Sequence, residues 1–477
     1  MLLSTDAWLS QAEPRPLLID GRLAPQDPAA AVIVEPATGR TLGRAAQAST
    51  AQGEEAVRSA RHAAASGPWP RMTPGARAEQ LEKLVRSLES DYDEFSRLLA
   101  RESGLPLREA ELACRRAVLW AGQALSVAGV DWRWRQVGFG QESLSRPAPL
   151  GVTAVLGPRC GAMPDELVLV MAALVRGNAV IWLAAEERPL FALRIAEHAM
   201  RIGLPAGALQ VLTGRGELLK ELAGHRGIDL AAGLGPEDRL ALRRASGGRT
   251  FFRPWVKGSV AVFDGADLDV AAAAAVLAAT FGGGRSKWSA QRLYVSRKTH
   301  DQLLLRIISR LGSLAMGNPI DFDTEIGPVP GEAWLGQLKE HVARRQADGA
   351  TLIYGGEPPS EAELAGGTYW RPALLLQGKA SEGCDVAGAV LEVREAADDE
   401  EVLALALQSG GPCTALGRDE KLARRILELG GPREVAWNAD WPTAALAPDF
   451  IDGLFATAPS RLLRADSPAP SGWYRGG

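Results

Sequence analysis

The fold class is decided by short apolar runs that alternate with longer helical ones: GVTAVL (151–156), ELVLVMAALVR (166–176), AVIWL (179–183), LFALRIAEHAMRI (190–202) and LQVL (209–212). Short β-branched runs separated by helical stretches predict βαβ units around a parallel sheet. The turn signals agree, because Gly177 and Asn178 follow the first helical run as a helix C-cap does. The sequence therefore predicts an α/β fold.

Helical patterns precede this region, and a second series of strands and helices follows it. Apolar residues recur at three-to-four spacing in residues 54–65, 74–90 and 92–102, which predicts helices that pack around the sheet. After Arg249 the predicted elements are a strand at 259–263, a helix at 270–281, a strand at 291–295 and a helix at 302–314. We therefore expect a second α/β domain beyond Arg249.

Length and charge limit the classes of function. The 477 residues are too many for a single core and predict two or three domains. The 53 Lys and Arg residues nearly balance the 57 Asp and Glu residues, for a net charge of -4, so no whole-molecule field attracts nucleic acid or an anionic membrane. The longest alanine-rich apolar stretch, residues 270–281, is well short of the roughly 20 residues that cross a bilayer. We expect neither nucleic acid nor a membrane as a partner.

The cysteines and histidines predict neither disulfides nor a metal site. The four cysteines are far apart, form no Cys-x-x-Cys pair, and suit a reducing compartment. The five histidines form no His-x-x-x-His pair and no Cys/His cluster, so we expect no metal. Residues 1–20 lack the basic-then-apolar order of a signal peptide, and we expect a cytoplasmic protein.

Ordered phrases across nearly the whole chain carry a resemblance to a known family. They are EPATGR (35–40), ESGLP (102–106), RGNAV (176–180), GLPAG (203–207), VFDGADLD (262–269) and, most specific of all, MGNP (316–319) followed by TEIGP (324–328). In this order and at these separations, the phrases resemble those of the NAD(P)-dependent aldehyde dehydrogenase superfamily.

The resemblance implies a Rossmann-type cofactor domain, a catalytic-type α/β domain, and a small bridging sheet for oligomerisation. The implied boundaries are residues 1–130 with 149–250 for the first domain, 251–441 for the second, and 131–148 with 442–477 for a bridging arm and tail. The bridging sheet would combine the arm with a C-terminal strand near residues 460–463. Family habit implies a homo-oligomer, or a hetero-oligomer with a catalytic aldehyde dehydrogenase.

Residues that this family uses for chemistry are substituted. Its cysteine nucleophile stands five residues before the arginine that corresponds to Arg292, and that position holds Lys287. A lysine is mostly protonated near neutral pH, and a carbinolamine that lost hydride would become a stable amide, so turnover would stop. The family's glutamate base, counted back from Asp264, corresponds to Arg253, which stays protonated in proteins. Residues 282–284 keep the glycines of the loop before the nucleophile.

The oxyanion asparagine is also lost. In the family it lies in a Pro-Trp-Asn-Phe-Pro turn, which here reads PRCGA (158–162) and places Cys160 at the asparagine. Because nucleophile, base and oxyanion donor are all replaced, we expect no catalytic residues and interpret the chain as a pseudoenzyme. It also resembles the sixteenth aldehyde dehydrogenase family, in which a catalytic unit is fused to a degenerate second unit. We expect a structural or regulatory subunit that assembles with an active aldehyde dehydrogenase.

The positions that would bind NAD(P) are only partly retained. Glu186 corresponds to the family's ribose-binding glutamate and Asp385 replaces a second one, and both side chains accept hydrogen bonds from hydroxyls. Leu183 replaces the adenosine-side lysine, and Gly233 is followed by a leucine in place of the serine of the phosphate turn. Each lost hydrogen bond costs about 1 kcal/mol. We therefore expect that NAD(P) is not required and that any binding of it is weakened.

Two other functions remain open. The chain could be an active NAD(P)-dependent aldehyde oxidoreductase with Cys160 as a relocated nucleophile, because nearby Lys287 and Arg253 would stabilise its thiolate. Its alternative role is that of a buried structural cysteine. Finally, Lys287 and Arg253 would repel each other unless an anion lay between them, which suits an anion-binding module for a carboxylate or a phosphate.

Overall fold

The computed structural model describes most of the chain. The described residues are 4–24, 30–126, 133–138, 141–145, 148–157, 164–185, 188–214, 216–234, 249–253, 258–286, 289–377, 386–430, 434–438 and 461–464.

These residues divide into two compact units. The first unit comprises Met1–Val34, Thr41–Glu102 and Ala110–Pro254, and the second comprises Glu35–Arg40, Ser103–Glu109 and Trp255–Gly477. Each unit contains one large sheet. The functional roles and boundaries that the sequence assigns to a cofactor domain, a catalytic-type domain and a bridging arm stay a prediction.

Helices and strands alternate along both units. Up to residue 253 they are α1 (Thr5–Leu9), β1 (Leu17–Ile19), β2 (Arg22–Ala24), β3 (Ala30–Val34), β4 (Thr41–Ala46), α2 (Thr50–Ser66), α3 (Pro74–Ser90), α4 (Tyr92–Ser103), α5 (Leu107–Leu125), β5 (Arg133–Gly138), β6 (Gln141–Ser145), β7 (Val152–Leu156), α6 (Glu166–Val175), β8 (Ala179–Leu183), α7 (Pro189–Arg201), β9 (Leu209–Leu212), α8 (Glu217–Gly224), β10 (Leu230–Leu234) and β11 (Arg249–Arg253). From residue 258 they are β12 (Gly258–Val262), α9 (Leu268–Thr280), β13 (Ala290–Ser296), α10 (His300–Ser313), α11 (Glu332–Ala347), β14 (Thr351–Tyr354), β15 (Ala373–Leu376), β16 (Val390–Ala396), α12 (Asp399–Gln408), β17 (Cys413–Leu416), α13 (Glu420–Glu428), β18 (Glu434–Trp437) and β19 (Arg461–Arg464). Within the described parts of the chain, no helix combines the length and the apolarity needed to span a membrane.

The sheet of the first unit has the strand order β11-β10-β7-β8-β9-β1-β2. The strands from β11 to β9 are parallel, and β1 and β2 extend the sheet antiparallel. Every residue of β7, β8 and β9 is buried, as parallel strands covered by helices on both faces require. The strands predicted at 151–156, 179–183 and 209–212 are thereby confirmed.

Helices α2, α3 and α4 confirm the helices predicted at 54–65, 74–90 and 92–102. Their first turns show why they begin where they do. Ser49 forms a capping box with Gln52, in which each side chain binds the other residue's backbone N–H. Thr73 caps α3, and Pro74 lies in its first turn, where a missing N–H costs nothing.

The sheet of the second unit has the order β14-β15-β16-β13-β12-β17-β18-β19. Only the β14 and β15 pair is antiparallel within this described sheet. The predicted elements at 259–263, 270–281, 291–295 and 302–314 correspond to β12, α9, β13 and α10. Helix α9 is alanine-rich because it is buried on most of its surface, where small side chains allow close packing.

Strand pairs are described for both the arm and the C-terminal segment. Strands β5 and β6 pair with each other in an antiparallel hairpin. Strand β19 exists close to the expected residues 460–463, but it pairs in parallel with β18 in the large sheet of the second unit. The bridging sheet that would combine this strand with the arm stays a prediction, and the pairing of β19 with β18 adds a neighbour that the sequence pattern did not indicate.

Candidate functional site

The candidate site is built on the glycine loop of the second unit, Phe281–Gly284, which follows α9. Gly282, Gly283 and Gly284 all have left-handed backbone conformations, with φ of 67°, 63° and 69°. A Cβ on Gly284 would lie 2.2 Å from the carbonyl carbon of Gly388. The chain thus needs glycine here both for its dihedral angles and for the close approach of two backbones.

A buried glutamate binds the first glycine of this loop. The Gly282 N–H donates to Glu109 Oε2 at 2.8 Å, and Glu109 is only 7% exposed. Burial raises the pKa of Glu109 to about 8, although the Gly282 N–H and the Arg285 charge oppose the shift. The carboxyl group therefore serves the loop as a buried acceptor rather than as a solvated acid.

A buried arginine follows directly on the last glycine of the loop and binds a backbone carbonyl elsewhere in the second unit. Arg285 is 1% exposed, and its Nη2 donates to the Ser103 carbonyl oxygen at 2.7 Å. Two further hydrogen bonds hold the loop backbone. The Gly388 N–H donates to the Gly284 carbonyl at 3.1 Å, and Ser289 Oγ donates to the Phe281 carbonyl at 3.1 Å. The loop backbone is thus held from several sides within the second unit.

Most of the residues singled out from the sequence lie outside the described residues. These are Lys287, Cys160, Glu186 and Asp385. Arg253 is the last residue of β11, where its backbone pairs with Leu234, and its side chain is not described.

Gly233 lies one position earlier in β10, between its partners Leu156 of β7 and Phe252 of β11. The structure therefore places Gly233 and Arg253 on neighbouring parallel strands, at the same end of the first sheet. Ligands of open α/β sheets bind outside this carboxyl end of the strands.

The residues at this carboxyl end of the strands indicate how well the chain would accommodate NAD(P). Gly157 follows β7 and donates its N–H to the Leu183 carbonyl at 2.8 Å, and a Cβ on Gly157 would lie 2.4 Å from the Ala185 nitrogen. Leu183 is 3% exposed, and its side chain offers no hydrogen-bonding group at the position where we expected the counterpart of the family's adenosine-side lysine. The described residues retain the close backbone approach of a nucleotide-binding fold but not this polar contact.

Buried charged side chains form ion pairs at the beginning of α6 in the first unit. Arg188 forms a two-point ion pair with Glu166, with both bonds at 2.7 to 2.8 Å and both side chains 1% exposed. Arg116 pairs with Asp165 at 3.1 Å. Each buried charge thus has a partner of opposite sign, which a buried charge requires.

The sequence interpretation missed Glu102 as well as Glu109 and Arg285. Glu102 accepts the backbone N–H groups of Leu190 and Phe191, at 2.6 and 2.9 Å, at the start of α7. Burial raises the pKa of Glu102 to about 8. One signal was present, because Glu102 follows buried Leu98 and Leu99 by four and three positions and so lies on the apolar face of α4.

The described cysteines cannot act as nucleophiles. Cys114 and Cys413 are both buried. Desolvation raises the pKa of each thiol to about 12, so both stay protonated near neutral pH. Among residues that the structure describes, no group of three or more His, Cys, Asp and Glu side chains is placed to hold a metal ion.

Comparison with known proteins agrees with the fold. The model of the aldehyde dehydrogenase family matches residues 24–429. A betaine aldehyde dehydrogenase from Staphylococcus aureus, solved in complex with NAD+, is 22% identical, with a TM-score of 0.87 over 93% of this chain and 91% of its own. A point mutant of that enzyme in its apo form gives a TM-score of 0.87 at 22% identity, over 94% of this chain and 92% of its own.

A protein from Burkholderia cenocepacia that is assigned to the aldehyde dehydrogenases is 26% identical, with a TM-score of 0.83 over 89% of each chain. These likenesses establish the aldehyde dehydrogenase fold, a mixed α/β fold with parallel sheets. The family model covers most of the chain. The chain therefore belongs to the aldehyde dehydrogenase family.

Proposed function

We propose that the chain is a pseudoenzyme of the aldehyde dehydrogenase family that serves as a structural or regulatory subunit. The observation that carries this proposal is the identity of the residues at three family positions, Lys287, Arg253 and Cys160. Aldehyde oxidation needs a thiolate that can leave again, a base that can take a proton, and a donor for the developing oxyanion. Two cations and a thiol do not supply these groups at those positions.

The state of the other thiols supports the proposal. Cys114 and Cys413 are buried, with thiol pKa values raised to about 12 by desolvation. Neither offers a thiolate near neutral pH. Of the two remaining thiols, Cys160 and Cys384, Cys160 is the one to be tested as a relocated nucleophile, because it corresponds to the family's oxyanion asparagine.

Loss of a polar contact supports the view that NAD(P) is not required. Leu183, buried at the end of β8, replaces a lysine that binds the adenosine side in the family. Glu186 and Asp385 would still accept hydrogen bonds from ribose hydroxyls. We therefore propose that NAD(P) binds with weakened affinity.

A chain that keeps the family's fold but lacks its reacting groups can still act by assembling with other subunits. We propose a homo-oligomer, or a hetero-oligomer with an active aldehyde dehydrogenase encoded in the same genome. A stable subunit needs its backbone supports, and the glycine loop keeps four hydrogen bonds around it. Native mass spectrometry after co-expression with each such paralogue would show a mixed complex, and only homo-oligomers with every paralogue would remove the heteromer.

The catalytic part of the proposal is tested by a nicotinamide assay. The purified chain is incubated with a panel of aldehydes and with NAD or NADP, and the absorbance of the reduced nicotinamide is followed. We expect no turnover. Turnover that Cys160→Ala abolishes and Cys114→Ala leaves intact would overturn the pseudoenzyme and identify a relocated nucleophile.

A further inference from the structure

We propose that a small cavity of the second unit is a binding site for one ordered water molecule. The water accepts a hydrogen bond from Trp370 Nε1 and donates one to the carboxyl group of Glu325. Both side chains line this cavity. The inference does not rest on the proposed function, because neither side chain is among the substituted family positions.

The cavity lies between segments that are distant in sequence but belong to the second unit. Its walls include Gly104, Gly283 of the glycine loop, Glu325 and Trp370. About 20 Å³ of this space is open to the centre of a water molecule. A buried water needs about 10–15 Å³ on the same measure. The cavity therefore fits a water molecule and is too small for a larger ligand.

Two close approaches of the backbone shape one wall of the cavity. A Cβ on Gly327 would lie 2.0 Å from the Gly104 carbonyl oxygen, and a Cβ on Gly104 would lie 2.2 Å from the Pro328 carbonyl oxygen. Gly104 also has a left-handed conformation, with φ of 77°. Both positions therefore require glycine. Neither glycine can supply a polar side chain to a bound water, so its partners come from other lining residues.

The Trp370 indole is the first of these partners. Trp370 is 2% exposed, and its Nε1 has no hydrogen-bond partner among the described residues. An indole N–H can only donate, and a buried donor without an acceptor lowers stability. Buried Trp69 shows the usual arrangement, since its Nε1 donates to the Leu174 carbonyl at 3.1 Å. A water in the cavity supplies the acceptor that Trp370 needs.

The Glu325 carboxyl group is the second partner. Its Oε2 accepts the Ala315 N–H at 2.9 Å, and no other hydrogen bond to this group occurs within the described part of the chain. Burial raises the pKa of Glu325, although the Ala315 N–H and the Arg108 charge oppose the shift. Oε1 is therefore a partly desolvated acceptor that a hydrogen-bond donor would stabilise.

The Thr280 hydroxyl is a further acceptor at the cavity. Thr280 lines the cavity, and its Oγ1 donates to the Val276 carbonyl at 2.8 Å. Because its proton is used in this bond, the hydroxyl oxygen can accept from the second hydrogen of the water. Buried waters typically make about three hydrogen bonds. One donor and two acceptors around the cavity match that number.

Nuclear magnetic resonance of the full chain, with ¹⁵N in its tryptophan indoles, tests the site in solution. Among the 13 tryptophans, the Trp370 signal is identified by its loss in Trp370→Phe and the Trp69 signal by its loss in Trp69→Phe. We expect magnetisation transfer from a long-lived water to the Trp370 Nε1–H but not to that of Trp69, which donates to a carbonyl. No transfer at Trp370, or equal transfer at both indoles, would overturn the proposal.

Two variants of Glu325 test the second partner. Glu325→Gln keeps an oxygen acceptor and should keep the transfer to Trp370. Glu325→Met has a similar length without an acceptor and should weaken the transfer about five- to tenfold, as loss of one hydrogen bond would. Transfer as strong in Glu325→Met as in the natural chain would show that the water does not bridge the two side chains.

A crystal structure of the natural chain keeps the test decisive if the variants do not fold. At a resolution that shows ordered water, we expect density for a water at about 2.7–3.2 Å from Trp370 Nε1 and within hydrogen-bond distance of Glu325. Trp370 Nε1 donating directly to a protein acceptor, or a cavity without density, would overturn the proposal.

Discussion

The two units each contain a fully buried glutamate that binds backbone, but they use it differently. In the first unit, Glu102 accepts two N–H groups at the start of α7, Leu190 and Phe191. In the second unit, Glu109 accepts a single N–H from the glycine loop, at Gly282. Burial raises the pKa of both carboxyl groups to about 8. The same chemical device thus stabilises a regular helix in one unit and an irregular loop in the other.

This difference shows that a regular helix and an irregular loop need different support. A helix start has several N–H groups without helical partners, and a carboxylate satisfies them in any helical protein. A loop of three left-handed glycines has no regular pattern that would specify its shape. Glu109 therefore supplies a contact from outside the loop that helps to specify its shape.

The largest expected effect is on the free energy of unfolding, and we expect Glu102 to contribute more to it than Glu109. Glu102→Ala leaves two buried N–H groups unpaired and should cost about 4 kcal/mol of unfolding free energy. Glu109→Ala leaves one unpaired and should cost about 2 kcal/mol. Urea denaturation of both variants checks the order, and an equal or larger cost for Glu109→Ala would break the comparison.

A rise in pH from acidic to mildly alkaline values should weaken both units. Each glutamate has a pKa of about 8 in the folded chain, against 4.5 for the ordinary carboxyl group. The folded state therefore holds more protons between these values, and its stability falls as the pH rises from about 4.5 to 8. Thermal midpoints across this range should decline less in a Glu102→Gln, Glu109→Gln double variant, and an unchanged slope would contradict the assignment.

In the first unit a different group, His198, acts in the opposite direction to Glu102 as the pH falls. His198 is fully buried, and desolvation, with the Arg194 charge, lowers the pKa of His198 to about 4 from 6.5. Neutral His198 contributes stability above pH 6.5, and this is lost as the pH falls through about 4. Hydrogen exchange should rise first around α3 and α7, which meet at the 2.7 Å contact between Ser87 Oγ and His198 Nδ1.

The matched variant for this prediction is His198→Asn, in which a neutral amide replaces the ring. Its midpoint should be lower than that of the natural chain near neutral pH, and the difference between the two midpoints should shrink as the pH falls from 6.5 to 4. An identical dependence of the midpoint on pH in the two proteins would mean that His198 does not contribute to the change in stability at acidic pH.

The sequence allowed the sheets and helices to be predicted because their signals are local. Strands β7, β8 and β9 are continuous apolar runs, and α2 and α3 carry their own caps at Ser49 and Thr73. The pairing of β19 with β18 was missed because a four-residue strand contains no information on its neighbour.

The supports of the site were missed for a related reason. Glu109 and Arg285 act on residues 173 and 182 positions away, and such pairings have no signature in the spacing of either residue. Family resemblance drew attention to the positions of the reacting groups, and the groups that support the loop lie outside that set. An acidic residue on the apolar face of a helix was the available signal at Glu102.

A smaller effect is expected on nucleotide binding by the first unit. Leu183→Lys restores a donor at the end of β8 and should tighten NAD binding roughly five- to tenfold, as one hydrogen bond to a charged donor would. Isothermal titration calorimetry with NAD measures this, with Leu183→Met as the control of similar volume and no donor. Equal affinities in the two variants would show that position 183 does not contact the nucleotide.

The most direct test of the account compares the natural chain with a variant that restores all three reacting groups, Lys287→Cys, Arg253→Glu and Cys160→Asn. Both proteins are assayed with the same aldehydes, using NAD and NADP, and reduced nicotinamide is measured. We expect no turnover by the natural chain and detectable turnover by the triple variant, because the variant regains a nucleophile, a base and an oxyanion donor in a chain with the family's fold. Turnover by the natural chain at a rate equal to or above that of the triple variant would contradict the account.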